Sequence, residues 1–296
     1  MHILITGGSG FIGRSLSAAL SARGDEVIIL SRSPEKLSPT PGIRAVGSLS
    51  QIKGPVDAVI NLAGAPIVEQ RWSEARKAVL RSSRIDLTAR LVDWMRQQPK
   101  PPEVLISGSA VGYYGSHGDE VLDETAEPVP GFAHELCRDW EQAALEAEAL
   151  GVRVCLIRTG VVLGPGGGAL AKMLPAFRLG LGGPIGHGRQ WMSWIHLEDE
   201  VGAIIYLLDN PPLHGPFNLT APEPVTNEVF SDTLGRMLNR PALMRVPTVM
   251  MRLLLGEASE LLLEGQRVIP EYLYNAGYGF RHPGFEEALE QVLTQE

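Results

Sequence analysis

The stretch TGGSGFIG at residues 6–13 decides the fold of this chain. It follows an apolar run at 2–6 and opens a segment in which apolar residues recur at helical spacing. Glycines in this pattern permit a tight turn, let the backbone approach a pyrophosphate, and let the helix pack closely on the strand. Free N–H groups at the start of the helix then bind phosphate oxygens. The stretch predicts a dinucleotide-binding βαβ unit, and its predicted contacts are Thr6, Gly7, Gly10, Phe11, Ile12 and Gly13.

The same alternation continues through the first half of the chain. Further β-branched apolar runs, which predict strands, lie at 26–30, 56–62, 103–107 and 152–158. Helical segments are predicted between them at about 73–97 and 134–150. Gly24 stands where a glycine ends the first helix. Buried parallel strands read as continuous apolar runs, and their alternation with helices is typical of an α/β protein. We expect a Rossmann-type doubly wound parallel sheet with a smaller C-terminal substrate lobe.

The pattern changes after about residue 160. Glycine-rich loops occur at 164–168 and 180–188, and the later predicted elements are a helix at 198–209, a strand at 216–219 and helices at 226–239, 248–264 and 284–294. We expect residues 1–220 to form an NADP-binding Rossmann domain, with 165–190 contributing to the substrate lobe. Residues 221–296 are expected to form the C-terminal substrate-side lobe.

Composition excludes several classes of function. The net charge of −8 and the pI near 5.5 disfavour a nucleic-acid partner. The two cysteines, Cys137 and Cys155, provide neither a disulfide framework nor a metal-type spacing, which favours a reducing, cytoplasmic compartment and no metal site. No apolar run approaches the roughly 18 residues that span a bilayer, so no membrane partner is expected.

The end of the second predicted strand selects the cofactor. Ser31 and Arg32 stand there in place of the acidic residue that would bind the ribose 2′-hydroxyl of NAD. An arginine can instead pair with a 2′-phosphate, and Lys36 could assist it. The sequence therefore predicts NADP(H). After the strand at 56–62, the small residues leave room for the cofactor, and Leu62, Ala63 and Gly64 are predicted contacts.

The order of motifs resembles the extended short-chain dehydrogenase/reductase superfamily. The segments that carry the resemblance are TGGSGFIG, NLAG at 61–64, SGSAVGYYG at 107–115, RTGVVLGPGGGAL at 158–170 and GRQWMSWIHLEDE at 188–200. With the ending QRVIPEYLYNAGYGFRHPGFEEAL at 266–289, the whole chain looks like an NAD(P)-dependent epimerase-like family with a C-terminal domain of unknown function. This resemblance implies a Rossmann fold and NADP binding.

The resemblance also implies a chemistry from which the chain departs. The superfamily uses a serine and a Tyr-x-x-x-Lys pair for proton transfer while hydride moves to or from the nicotinamide. Ser109 matches the serine, but Ala133 and Cys137 stand where the tyrosine and lysine are expected, and Arg84 replaces a structural asparagine. Tyr113 and Tyr114 are then the candidate proton donors, with pocket lining as the alternative role.

Other side chains could line the pocket. Ser107 and Arg158 are predicted cofactor contacts near strand ends. The remaining candidates for substrate contact or for structural roles are Arg71, Trp72, His134, Glu135, Cys137, Arg189, Gln190, His196 and Asp199. Packing is the favoured role for the cysteine, and a structural hydrogen bond for His196. Several arginines near one pocket would suit a small anionic substrate.

Two hypotheses of different classes remain. The first is an NADP-dependent oxidoreductase or epimerase that acts on a small carbonyl or sugar-like substrate, with Ser109 polarising the oxygen. The second is an NADP(H)-binding regulatory protein that has no catalysis, because the Tyr-x-x-x-Lys pair is absent. An epimerase that recycles tightly bound NAD⁺ conflicts with Arg32. The resemblance also allows a homodimer through helices on the flank of the sheet.

Overall fold

The structure, a computed structural model, describes residues 1–296. Its strands are, in chain order, β1 (His2–Thr6), β2 (Glu26–Leu30), β3 (Ile43–Val46), β4 (Ala58–Asn61), β5 (Val104–Ala110), β6 (Val121–Leu122), β7 (Arg153–Thr159), β8 (Val161–Leu163), β9 (Trp191–Met192), β10 (Trp194–His196), β11 (Gly215–Leu219), β12 (Val225–Thr226) and β13 (Arg267–Val268). Its α-helices are α1 (Phe11–Ala22), α2 (Glu74–Arg81), α3 (Leu87–Arg96), α4 (Phe132–Leu145), α5 (Gly168–Arg178), α6 (Leu197–Asp209), α7 (Asn227–Met237), α8 (Thr248–Leu255), α9 (Glu260–Leu263), α10 (Glu271–Asn275) and α11 (Phe285–Thr294). A π-helical turn, Ser82–Asp86, joins α2 to α3.

Seven parallel strands form the central sheet in the order β11-β7-β5-β4-β1-β2-β3. The chain winds outward from β1 to one edge, returns to β4, and continues to the other edge. The change of direction opens a crevice at the carboxyl ends of β1 and β4, where open α/β sheets bind their ligands. The predicted fold class, a Rossmann-type doubly wound sheet, is confirmed.

Alternate residues of each strand bury opposite faces of the sheet. Ile3 and Ile5 belong to a core shared with α1 and α6, while Leu4 belongs to a second core with α3 and α4. All three side chains are fully buried. The continuous apolar runs in the sequence thus have a simple cause, since helices cover both faces of the sheet.

A third core lies beyond the carboxyl edge of the sheet. Leu174 and Phe177 of α5 pack there with Phe230 of α7 and Phe285 of α11. The tail also returns to the nucleotide-binding part, because Leu273 is buried in the core under α6. Residues 221–296 therefore contribute to the first core as well as to the third, and the domain division at 220 stays a prediction.

Most predicted elements are present, and the structure adds several short strands and helices that the sequence did not predict, β3 and α5 among them. The edge strand β3 has a charged residue among its four positions, and α5 begins at a glycine and contains Pro175, so neither has a clear periodic signal. The helix predicted at 248–264 is two short α-helices joined by a 3₁₀ turn at Gly256–Ser259. Gly24 has a φ of +91°, as expected for the residue that ends α1.

Candidate functional site

The glycine loop after β1 has the close contacts that its sequence predicts. Gly7 has a φ of +71°, and a Cβ there would lie 2.8 Å from the carbonyl carbon of Leu62. A Cβ on Gly13 would lie 2.2 Å from the carbonyl oxygen of Gly7, so only glycine allows α1 to approach the turn. The loops after β1 and β4 are consequently in direct contact at the crevice.

Phe11 connects this loop to the substrate side of the molecule. Its ring packs on the glycine-rich loop after β8, where a Cβ on Gly167 would lie 2.4 Å from the ring. Both Phe11 and Ile12 are partly exposed at the start of α1. The first turn of α1 thus lies between the crevice and the third core.

A cationic cavity of about 790 Å³ lies beyond the end of β2. Arg14, Lys36 and Arg44 supply its positive charge, and Ser31 lines it together with other serines. One of these, Ser17, has a buried hydroxyl without a hydrogen-bond partner. The cavity has the size and the donors needed for a phosphorylated adenosine.

Arg32, the predicted 2′-phosphate ligand, is exposed and does not line this cavity. Its assignment stays a prediction. Arg14 and Arg44 line the cavity without being among the contacts predicted from the sequence. The position of Arg14, directly after Gly13, was a usable signal, because the first turn of α1 faces the phosphates.

Two predicted cofactor contacts lie beneath the crevice. Thr6 and Ser107 are 1% and 0% exposed. The Thr6 hydroxyl donates to Asn61 Oδ1 at 2.7 Å and accepts from the Ala63 N–H at 3.2 Å, while Asn61 Nδ2 donates to Ser107 Oγ at 3.3 Å. Their buried side chains therefore hold the end of β4 and the loop after it, and their contact with a cofactor stays a prediction. Leu62 and Ala63 are partly exposed, and Gly64 is exposed.

Ser109 lies at the end of β5, above a buried ion pair. Its hydroxyl donates to Glu141 Oε1 at 2.6 Å. Arg158 donates to the same carboxylate through Nε and Nη2, each at 2.9 Å. Burial opposes the charge of the guanidinium, but the hydrogen bonds with Glu141 raise the pKa of Arg158 above its usual value. Arg158 is 4% exposed and its guanidinium is bound to Glu141, and its contact with the cofactor stays a prediction.

The two candidate tyrosines have different environments. Tyr114 is fully buried, and its hydroxyl donates to Asn218 Oδ1 at 2.6 Å and accepts from Arg158 Nη1 at 3.1 Å. Burial raises the pKa of Tyr114 to about 12. The hydroxyl is occupied within the protein and has no exposed surface, so the structure favours the alternative, structural role for Tyr114. Tyr113 is partly exposed, and its hydroxyl makes no hydrogen bond within the protein.

The ring of Tyr113 packs on the buried cation. The Arg158 Cζ atom lies 3.4 Å from the ring centroid, and His134 Nδ1 contacts the Tyr113 carbonyl oxygen at 2.7 Å. These contacts fix the ring against Arg158, whose partner Glu141 also binds Ser109. Of the two predicted proton donors, only Tyr113 is available to a ligand.

The helix that carries the residues at the Tyr-x-x-x-Lys positions has no proton donor there. Ala133 has no polar side chain, and Cys137 is 5% exposed. Burial raises the pKa of the Cys137 thiol to about 12, so the thiol stays protonated at neutral pH. The structure agrees with the packing role that the sequence favoured for Cys137.

The remaining candidates separate into buried and exposed groups. Trp72 donates to the Ile67 carbonyl at 2.9 Å and packs on Phe132. Gln190 is buried and donates to the carbonyl oxygens of Ile185 and Leu262. Arg71 and Arg189 are exposed.

His196 lies outside the crevice. It caps α6 by accepting the Glu198 N–H at 3.1 Å, and it contacts Gln291 at 2.8 Å. Both ring nitrogens therefore serve the structure, as predicted from its position in the sequence.

Comparison with known proteins agrees with this geometry. Residues 3–219 match the NAD dependent epimerase/dehydratase family, and residues 246–292 match a domain of unknown function. An epimerase family protein of Mycobacterium bovis is 45% identical over 304 residues, with 99% of this chain and 98% of the relative covered. The chloroplastic SDR39U1 homologue of Arabidopsis thaliana is 41% identical over 304 residues, covering 99% of this chain and 87% of the relative.

A solved structure is similar over the full length. The human epimerase family protein SDR39U1, crystallised with NADPH, has a TM-score of 0.90 and 36% identity, and the match covers 100% of both chains. None of the helices of the present structure has the length and the apolar character needed to cross a membrane.

Proposed function

The chain belongs to the NAD-dependent epimerase/dehydratase family, and we propose that it is an NADP(H)-dependent oxidoreductase or epimerase-like enzyme that acts on a small carbonyl or sugar-like substrate. The cytoplasm is the proposed compartment, because both cysteines are free and buried and nothing requires an oxidising environment.

The cavity beyond β2 carries the proposal for NADP(H). Arg14, Lys36 and Arg44 converge on it, and none of the three forms an ion pair there with an aspartate or a glutamate. A 2′-phosphate would complete these contacts, whereas the hydroxyl of NAD would leave three cations unneutralised. The NADPH bound by the human relative supports the same choice.

The chain offers few residues for the chemical step. NADP(H) would supply the hydride, which is the difficult part of the chemistry. Ser109 can donate its hydroxyl to a substrate oxygen if it releases Glu141, and Tyr113 has a free hydroxyl for proton transfer. Arg158 lies under the Tyr113 ring and favours negative charge that develops on the tyrosine oxygen.

Titration of the purified protein with NADPH and NADH, followed by fluorescence, tests the cofactor. We expect NADPH to bind at least tenfold more tightly, about 1.4 kcal/mol, and Arg14→Ala and Arg44→Ala each to lose most of this preference. Arg32→Ala tests whether Arg32, which does not line the cavity, also contributes to the preference for NADPH. Arg90→Ala, at an exposed position of α3, is the surface control. Equal affinity for both cofactors in the wild type would exclude the proposed NADP(H) preference.

A second candidate function is an NADP(H)-binding regulatory protein without turnover. It is favoured by one observation, that Ala133 and a protonated Cys137 stand on the active-site helix. The test is a screen of carbonyl compounds and sugars for substrate-dependent oxidation of NADPH. Turnover that Tyr113→Phe lowers supports the enzyme, whereas tight NADPH binding with no turnover for any compound supports the regulatory protein.

A further inference from the structure

Arg84 occupies an unusual position in the backbone of the site. It lies in the π-helical turn Ser82–Asp86, between α2 and α3. Such turns interrupt regular helices and are frequent at functional sites. The turn brings the guanidinium under the loop after β4, where Arg84 Nη2 donates to the Ala65 carbonyl oxygen at 3.0 Å.

The guanidinium packs between the cofactor loop and the active-site helix. A Cβ on Gly64 would lie 2.8 Å from Arg84 Cζ, so the cation lies directly against the glycine backbone. On its other side, Arg84 Cζ lies 5.3 Å from the centroid of the Trp140 ring. Arg84 is close enough to Cys137 to act on the pKa of that thiol, which it lowers against the larger effect of burial, and Cys137 also contacts Ser109. Arg84 therefore borders the same part of the crevice as the catalytic serine.

No carboxylate neutralises this cation. Arg84 takes part in no salt bridge, and its contacts from Nη1 to the Leu80 carbonyl and to Ser83 Oγ are long, 3.4 and 3.5 Å. Burial lowers its pKa, and the like charge of Arg76 adds to the effect. Arg158 has the opposite arrangement, since both carboxylate oxygens of Glu141 accept hydrogen bonds from its guanidinium.

An unpaired, partly desolvated charge destabilises a folded protein unless something compensates for it. Perturbed charges of this kind concentrate where a ligand binds. A neutral hydroxyl would not balance the guanidinium, whereas a carboxylate would accept its free N–H groups in the planar, two-oxygen geometry that arginine favours. The missing partner is therefore best supplied by an anionic group of the ligand.

We propose that Arg84 binds a carboxylate of the substrate at the loop after β4, so that the substrate is a hydroxy or oxo acid, or an acidic sugar, whose reacting carbon faces Ser109 and Tyr113. The proposal rests on the proposed function, because the carboxylate is a part of the molecule that NADP(H) oxidises or reduces. It also gives Arg84 a role different from that of the cavity arginines, which would bind only the cofactor.

The ligand-free protein provides the first test. Arg84→Met removes the charge and keeps a long side chain on the Trp140 ring, and we expect the Tm to rise by roughly 2 °C or more, because an uncompensated cation has been removed. Arg90→Met, at an exposed position of α3, is the matched control and should leave Tm unchanged. If Arg84 were only a structural anchor for the Ala65 carbonyl, the Tm of Arg84→Met would fall, and this result would overturn the proposal.

Carboxylate probes provide the second test. The NADP⁺-loaded wild type is heated with D-glucuronate or malonate, and with D-glucose or malonamide as neutral counterparts at equal ionic strength. We expect the two carboxylates alone to raise Tm, Arg84→Met to lose the effect, and Arg84→Lys to keep part of it. Equal shifts in wild type and Arg84→Met, including no shift in either, would overturn the proposal.

The NADPH titration separates this inference from the proposed function. Normal NADPH binding without any Arg84-dependent carboxylate effect contradicts the inference alone. Absence of NADPH binding contradicts the proposed function; the carboxylate site at Arg84 is then retained only if the carboxylates raise the Tm of the cofactor-free wild type and not that of Arg84→Met.

Discussion

Arg158 and Glu141 form a buried bidentate ion pair beneath Ser109. Arg158 Nε donates to Glu141 Oε1 and Nη2 donates to Oε2, each at 2.9 Å. The side chains of Arg158 and Glu141 are 5% and 7% exposed, so water does not screen the attraction between the two charges. The pair joins β7 to α4, the helix at the Tyr-x-x-x-Lys position. The orientation of Ser109 depends on it, because the serine hydroxyl donates to the same carboxylate.

Removing one member of this pair should strongly destabilise the protein. We expect Arg158→Met to lower the free energy of unfolding by about 3–5 kcal/mol, because Glu141 would stay buried without its partner. Urea unfolding followed by circular dichroism measures the change. The double variant with Glu141→Leu should lose less than the sum of the single variants.

An exposed pair provides the control for this measurement. Arg236 and Glu286 lie 2.7 Å apart with 60% and 63% of their side chains exposed. Arg236→Met should cost less than about 1 kcal/mol. Similar losses at the two sites would mean that burial does not govern the strength of the Arg158–Glu141 pair.

The two adjacent tyrosines should separate stability from activity. Tyr114→Phe leaves Asn218 Oδ1 without its buried donor and Arg158 Nη1 without its acceptor at 3.1 Å, and we expect a loss of about 1–3 kcal/mol in unfolding free energy. Tyr113→Phe removes a hydroxyl without internal hydrogen bonds, so stability should change by less than about 0.5 kcal/mol. If Tyr113 transfers the proton, its loss lowers turnover by about 10²-fold or more.

The same two variants are compared by urea unfolding and by single-turnover oxidation of NADPH. Unchanged turnover in Tyr113→Phe would remove this residue from the mechanism. A stable, inactive Tyr114→Phe would show that the buried hydroxyl, not the exposed one, governs the reaction.

Motifs that depend on backbone geometry could be predicted from the sequence. The glycines of TGGSGFIG permit contacts that no other residue allows, so the pattern itself specifies the turn and the approach of α1. The parallel sheet was predictable for a related reason, since strands covered on both faces are apolar throughout.

Side-chain direction could not be predicted in the same way. Thr6, Ser107 and Arg158 were predicted as cofactor contacts from their places at strand ends, but they point into the side of the sheet that carries α3 and α4. Adjacent Tyr113 and Tyr114 look equivalent in sequence and differ completely in burial. The unpaired state of Arg84 depends on which carboxylates the fold brings near it, and no spacing in the chain encodes that.

Ser109 should affect the reaction more than cofactor binding. We expect Ser109→Ala to lower turnover by about 10²-fold, because a donor to the substrate oxygen is lost. NADPH affinity should change less than twofold, since the serine side chain is 6% exposed and bound to Glu141. Steady-state kinetics and fluorescence titration measure the two effects. A tenfold loss of NADPH affinity would instead identify Ser109 as a cofactor ligand.

Glu200 should make stability depend on pH in the direction opposite to a carboxylate whose pKa is lowered by an ion pair. The side chain is fully buried in α6, with one oxygen accepting from Thr159 at 2.9 Å and the other without a partner. Burial raises its pKa to about 8 from an unfolded value of 4.5. Between these values the folded state binds more protons than the unfolded state, so stability falls as pH rises from about 4.5 to 8.

The difference between Glu200→Gln and the wild type isolates this contribution. The amide cannot ionise, so the free energy of unfolding of the variant relative to wild type should rise by about 2 kcal/mol or more between pH 5 and pH 9. Any cost of the buried amide N–H groups is independent of pH and cancels from that slope. Glu290→Gln, at an exposed position of α11, should show no such trend. Parallel pH profiles for wild type and Glu200→Gln would mean that Glu200 titrates near its unfolded pKa despite its burial, which requires water to enter beneath β7.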